Sequence, residues 1–313
     1  GALSLVRQNV GTIPEYAEYA VHAEDYQKKL GTLDERFVQR LHPGRIFVLG
    51  TRTWEFRRIE RNRVYVRDGR GRSPTIPSWS GPDYIPRSFQ LGEQVARFRS
   101  EVFARLFEEP ESLQDWLTRD YHVDQSGAQQ IIEYFVEEAH SLDAWPSRET
   151  LVAETFRNPL GHWQVVVQSP YGASLNEAWA EALVQAARAE MQMDLQAAYN
   201  DDGFVLHLPR GAEAVGQGPN LPQGAESLLA LVNSENLSGW VSSYIRESAL
   251  FAIRFRHAAV RALAVLRMRG GQRRPVWQQE AEARRLEREA AGLAGFPLVS
   301  ETARECREDH LDL

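Results

Sequence analysis

The sequence predicts an α+β protein: a small β-barrel-like module over residues 1–86, then a mixed, mainly helical domain over 87–313 with a short antiparallel sheet. Three observations carry this. Short β-rich runs separated by turn residues fill the first 70 positions. Apolar residues then recur at helical spacing from Ser88 onward. Near the C-terminus one stretch, Phe251–Leu266, is apolar on nearly every face, the pattern of a helix buried among other elements.

In chain order, Tyr16–Val21, Arg45–Gly50 (RIFVLG), Trp54–Ile59 (WEFRRI) and Arg63–Arg67 (RVYVR) read as strands, the last two joined by a turn at Asn62. Leu33–Leu41 reads as a short helix with Asp34 and Glu35 suited to its N-terminus. The Gly-, Pro- and Ser-rich stretch 69–86 reads as a loop. Helices follow over Ser88–Phe107, Ser112–Leu117 and Ser126–His140. Leu151–Phe156 and Trp163–Gln168 look like paired strands, and Ser174–Met191 like a long Ala-rich helix. Leu195–Tyr199 and Phe204–Leu208 form a hairpin about Asp202-Gly203, residues 211–224 a linker, and the chain is helical from Ala225 to the end.

Composition narrows the function classes. The 313 residues carry a net charge of −7, which argues against indiscriminate nucleic-acid binding. No apolar run approaches the length a membrane helix requires, so no membrane partner is expected and a cytoplasmic location is the default. The one cysteine, Cys306, excludes an internal disulfide and reads as a structural thiol amid mixed charge. The chain opens without a methionine and enters ordered-looking sequence at once, as an excised segment would. The GxxxxGK[ST] phosphate loop, GxGxxG, HExxH and GxSxG are all absent. Asp201-Asp202 could be imagined as a metal pair, but a hairpin turn accounts for them, and Glu137-Glu138 with His140 reads as a solvated helix end. No residue proposes a catalytic centre or a metal site.

Positive charge is nearly all arginine, and it is clumped. Nine arginines lie between Arg45 and Arg72, with Trp54 beside Arg52, Arg57 and Arg58. A ring flanked by guanidinium groups suits single-stranded nucleic acid, base on the ring and phosphates on the arginines. The alternative is that Trp54 and Phe56 face the module's core and the arginines are merely solvated. A second cluster holds seven arginines and no acidic residue from Arg254 to Arg274; its end, Arg267–Arg274, reads as an exposed basic loop, either a solubilising turn or, through Arg273 and Arg274, a contact for phosphates, which the unbroken basic run favours. Arg254, His257 and Arg261 form a polar stripe on the apolar helix. Internal ion pairs would satisfy it; so would phosphates in a channel.

Residues along the whole chain also resemble the segment C-terminal to the motor in Lhr-type (large helicase-related) superfamily 2 helicases, the DEAD/H-associated region. The likeness runs through Gly11–Glu15 (GTIPE), Leu30–Val38 (LGTLDERFV), His42-Pro43-Gly44, Phe47–Gly50 and Trp54. It continues through Pro77, Trp79, Arg87-Ser88, Leu91-Gly92, Phe98-Arg99, Gly161–Ala173 (GHWQVVVQSPYGA) and Asp201-Asp202-Gly203. It ends with Ser248–Arg256 (SALFAIRFR), Pro275–Gln279 (PVWQQ) and Glu301–Cys306. Pro82-Asp83 and Ala303 depart from the family's usual residues. The resemblance implies an accessory segment of an ATP-dependent 3′-to-5′ helicase acting on DNA or RNA–DNA hybrids, serving DNA repair. Its partners would be single-stranded DNA or an RNA–DNA hybrid, together with the motor and winged-helix domains of the same parent chain, which precede it. It implies no cofactor in this segment, ATP and Mg being expected for the parent motor, and no catalysis by the segment alone. By position, Trp54 resembles the tryptophan that stacks on the tracking strand. The channel reading has Arg52, Arg57, Arg254 and Arg261 holding phosphates beside it. A structural brace for the motor without nucleic-acid contact is the alternative. A base glycosylase, the third reading, would need a base-sized pocket with an Asp or Glu inside it.

Overall fold

The computed structural model describes residues 2–13, 15–24, 28–38, 41, 43–72, 85–158, 161–209, 225–290, 293, 295–311 and 313. The expected loop over 69–86 and the linker over 211–224 fall largely or wholly outside them. The chain forms two compact units, one of Gly1–Ile85 with Val232–Leu313 and one of Pro86–Leu231. This differs from the division read from sequence, which placed everything after residue 86 in one domain. The C-terminal helices carry the partners that the N-terminal sheet lacks, and so join it.

The first unit is built on a curled, half-barrel sheet. Its strands are β1 (Glu18–Ala23), β2 (Lys29–Asp34), β3 (Ile46–Leu49), β4 (Arg52–Glu60) and β5 (Arg63–Asp68), in the order β2-β1-β5-β4-β3. All neighbours are antiparallel except β1 and β5, which run parallel with Val21 opposite Val64. Strand β2 was not expected; its alternation is broken by Gly31 and charged ends. The expected helix Leu33–Leu41 shortens to α2 (Glu35–Val38) because Leu33 and Asp34 pair in the sheet. Alternate side chains point inward, Tyr19, Val21, Trp54, Phe56, Val64 and Val66 among them, and meet Val38, Leu41 and Phe47 in one core. A bulge between Phe56 and Arg58 leaves both Arg57 and Arg58 exposed.

Helix α1 (Ala2–Asn9) opens this unit. Asn9 ties it down: its amide donates to Met268 O at 3.2 Å and its carbonyl accepts from Met268 N at 2.7 Å. At the C-terminal side lie α8 (Leu237–Glu247), α9 (Ala249–Arg261), α10 (Val276–Ala290) and α11 (Pro297–Arg304), the last running into a wide turn over Glu305–His310. Ser248 caps α9, accepting from Phe251 N at 3.3 Å. The helix stops at Arg261, short of the expected Leu266, where the chain turns with Leu263 at φ 59°. The expected basic loop is a tight ladder of Met268–Arg269 with Gln272–Arg273 about Gly270-Gly271, both at positive φ.

The second unit packs α3 (Phe89–Glu108), α4 (Pro110–Asp120) and α5 (Gln125–Ser141) around Val102, Phe103, Leu113, Leu117 and Phe135. Ser88 and Asp124 cap α3 and α5. A four-stranded antiparallel sheet follows, ordered β6 (Val152–Arg157), β7 (Trp163–Gln168), β9 (Gly203–His207), β8 (Gln196–Asn200), with α6 (Ala173–Glu190) against it and α7 (Ala225–Leu229) after it. Asp201 organises the turn. Its Oδ1 accepts from Arg87 N and Ala173 N, each at 2.9 Å, and Asp202 pairs with Arg87 at 2.8 Å. The aspartates are therefore turn and cap residues, and the described residues hold no metal-ligand cluster.

Gly172, at the entry to α6, has φ 96°, and a Cβ there would lie 2.1 Å from Arg87 O. Gly172→Ala is expected to cost more than about 1 kcal/mol, since both strain and clash oppose it. Thermal unfolding should show the midpoint falling by at least about 2–4 °C.

Candidate nucleic-acid interface

The nine-arginine cluster folds onto the β4–β5 hairpin, and the hairpin sorts it by face. Trp54 points inward and is 5% exposed, packed in the core with Phe56 and Phe47. This corrects the expectation of a stacking ring at this position: strand alternation turns the ring away from the surface. Glu55, next along, points outward yet is buried by arginines. Its carboxylate pairs with Arg57 at 3.3 Å, Arg67 at 2.8 Å and Arg72. These three side chains keep 42%, 48% and 34% of their surface exposed. One carboxylate thus gathers three guanidinium groups, all partly exposed to solvent. Arg57 also lies 3.8 Å from Glu24. Arg52 stands exposed at the start of β4, opposite Leu49, and has no ion pair among the described residues.

The stripe on α9 resolves mostly inward. Arg261 pairs with the largely buried Glu305. Arg254 is partly buried and close enough to Glu305 and His257 to shift both electrostatically. Arg274 pairs with Glu282, and Arg273, the most exposed of the four, with Glu15 at 3.1 Å. The residues proposed from sequence therefore do not share one exposed groove. Arg52, Arg57 and Arg273 are at the surface, Arg261 and Arg274 are held in ion pairs, Arg254 is partly buried with its Nε unbonded, and Trp54 is core.

The residue sequence reasoning missed is Arg256, which is 1% exposed. Its guanidinium meets Glu35 at 2.5 Å and donates to Glu15 O at 3.2 Å and His257 Nε2 at 2.9 Å. Glu35, fully buried, also accepts from Ala17 N at 2.9 Å and Tyr19 Oη at 3.4 Å. Burial raises the Glu35 carboxyl, and Arg256 pulls against that. His257 is held neutral, its pKa lowered to about 3 by burial and by Arg256, Arg254 and Arg261. A cavity of about 10 Å³, room for one water, is bounded here by Glu15, Arg256, His257, Val260, Arg267 and Gln279. The signal for Arg256 lay in the sequence as an arginine off the polar stripe, on the apolar side of the helix.

At the far end of the same hairpin, an open depression of about 390 Å³ is lined by Glu60, Arg61, Asn62, Arg63, Tyr65 and Trp277. Trp277 is 37% exposed, and the Arg61 guanidinium sits 5.6 Å from its ring centroid.

Residues 145–313 match the family described as DEAD/H associated, and residues 2–76 match the Large helicase-related protein winged helix domain. The chain belongs to the DEAD/H-associated family of Lhr-type helicases. The winged-helix match lies inside this chain, although the resemblance had placed that domain wholly before it. An Escherichia coli protein named Lhr helicase/uracil glycosylase is 32% identical over all of this chain and 20% of its own length. An ATP-dependent helicase Lhr-Core protein 2 of Thermococcus barophilus is 33% identical over 97% of this chain and 34% of its own. The solved structure of Mycobacterium smegmatis helicase Lhr, bound to ssDNA and AMP-PNP, aligns with TM-score 0.62 and 29% identity over 77% of this chain and 29% of that one. The chain thus spans between a fifth and about a third of the relatives it matches, as an accessory segment of an Lhr-type helicase. Among its described residues no helix is long and apolar enough to cross a membrane.

Two outcomes follow for stability. Arg256→Met strands a buried carboxylate and is expected to cost about 3–5 kcal/mol, while Arg256→Met with Glu35→Leu costs less than either single change; denaturant titration measures this. His257 bears on acid stability. Its folded pKa lies below its ordinary 6.5, so its contribution is present above pH 6.5 and declines as pH falls toward about 3. Glu35, raised, takes up a proton in the same descent and offsets part of the loss. Replacing His257 with Gln should flatten the fall in unfolding free energy between about pH 6.5 and 4.

Proposed function

We propose that this segment contacts the single strand handled by an ATP-dependent helicase motor, through phosphates rather than base identity. The observation that carries this is the gathering of Arg57, Arg67 and Arg72 on the one Glu55 carboxylate. Side chains already held by an ion pair lose less freedom on meeting a phosphate, and all three guanidinium groups keep part of their surface in solvent. Arg52, at the start of the same strand, and Arg273 extend the exposed positive charge. The ssDNA held by the Mycobacterium smegmatis relative supports the same ligand class. Contacts to phosphate are sequence-blind, which suits a motor that must pass over any sequence. In this reading the segment lines the strand's path beside the motor and resists backward slippage, with DNA repair as the setting.

A second reading, a brace with no nucleic-acid contact, draws support from the internal pairing of Arg256, Arg261 and Arg274. Binding of a fluorescent single-stranded oligonucleotide separates the two. Affinity should fall as salt rises, and the slope of log K against log salt should drop by about 0.7 for each phosphate contact removed, as in Arg57→Ala and Arg67→Ala. An absence of binding at low salt favours the brace. Trp54→Ala is not a clean probe, because truncating this buried ring is expected to cost about 3–5 kcal/mol of stability.

A further inference from the structure

We infer that the depression between the β4–β5 turn and the start of α10 is a stacking site for one unpaired base of a single strand, with Trp277 as the platform and Arg61 as its cover. The inference rests on the strand-contact reading above and supplies the aromatic surface that Trp54, being buried, does not.

Three features point to a base. Trp277 is an indole left 37% exposed, while its neighbour Val276 packs against the sheet core and fixes the ring's position. The Arg61 guanidinium lies 5.6 Å from the Trp277 centroid. A base between two planar groups needs about 6.8 Å, twice the roughly 3.4 Å stacking step, so a shift of about 1 Å in one flexible side chain admits it. Arg61 also holds a left-handed backbone, φ 55°, at a turn position where glycine or asparagine is at ease. That conformation directs the Arg61 side chain from the tip of the turn beside the exposed ring.

The charges complete the site. Glu60 is tied to Arg58 at 2.6 Å, and Arg58 also covers the Tyr65 ring at 4.5 Å. Arg61 and Arg63 have no carboxylate partner among the described residues, so both are open to the phosphates flanking the base. The volume of about 390 Å³ suits a base and part of its sugar. Glu60 keeps 54% of its side chain in solvent and is already paired, so it is not the positioned carboxylate in a dry pocket that base excision requires. The site holds a base and does not cleave it.

The test uses the full chain, a labelled oligothymidylate, and an abasic strand of equal length and charge. Wild type should bind the base-bearing strand more tightly. Trp277→Ala should weaken that binding by about 5- to 150-fold, the value of one stacked base, and leave the abasic strand unchanged. Trp277→Phe should restore most of the loss. Arg61→Gly, which relieves the backbone, should weaken binding to both strands with no fall in thermal midpoint. If Trp277→Ala binds both strands as wild type does, this site is overturned while the phosphate-contact reading stands. An equal loss on both strands assigns Trp277 a structural role and also overturns the site. If wild type binds neither strand at low salt, both readings fall together.

Discussion

The buried pair of Glu35 and Arg256 is the constraint on which the first unit depends. It joins residues far apart in sequence, at 2.5 Å, with both side chains withdrawn from solvent. Such a pair cannot be left half-made, because an isolated charge in that interior is far costlier than the pair is beneficial. Glu35 is further fixed by Ala17 N and Tyr19 Oη, and Arg256 by Glu15 O, so one register of α9 against the sheet satisfies all of them. The neutral His257 fits the same demand: in that buried place a second cation would stand against Arg256, Arg254 and Arg261.

From that anchor the rest of the unit takes its place. With α9 fixed, Arg261 reaches Glu305 and Arg274 reaches Glu282, and the chain returns through a glycine turn to begin α10. Val276 then packs on the sheet core and Trp277 emerges beside the β4–β5 turn. The exposed ring is thus a consequence of how the buried charges are satisfied.

A chain of net charge −7 can still present positive surface where its arginines are grouped. Glu55 shows how. Its carboxylate holds three arginines together on one exposed face, which concentrates guanidinium groups locally without making the whole protein basic.

Sequence by itself determined the periodic elements. The strands from Ile46 to Asp68, the helices after Ser88 and the two hairpins of the second unit follow from alternation, helical spacing and capping residues, all local properties. The GTIPE, HPG and PVWQQ fragments carried the family. Partnership was not local. Whether Trp54 faced water depended on which side of the curled sheet became the core, and both faces of β4 carry large side chains. Which arginine on α9 would be buried depended on where Glu35 stood, more than two hundred residues away in the chain. The end of α9 at Arg261, before its apolar pattern ran out, was set by the tertiary turn at Leu263. The return of Val232–Leu313 to the N-terminal sheet likewise left no mark in composition, because complementarity of charge and shape between distant segments exists only once they meet.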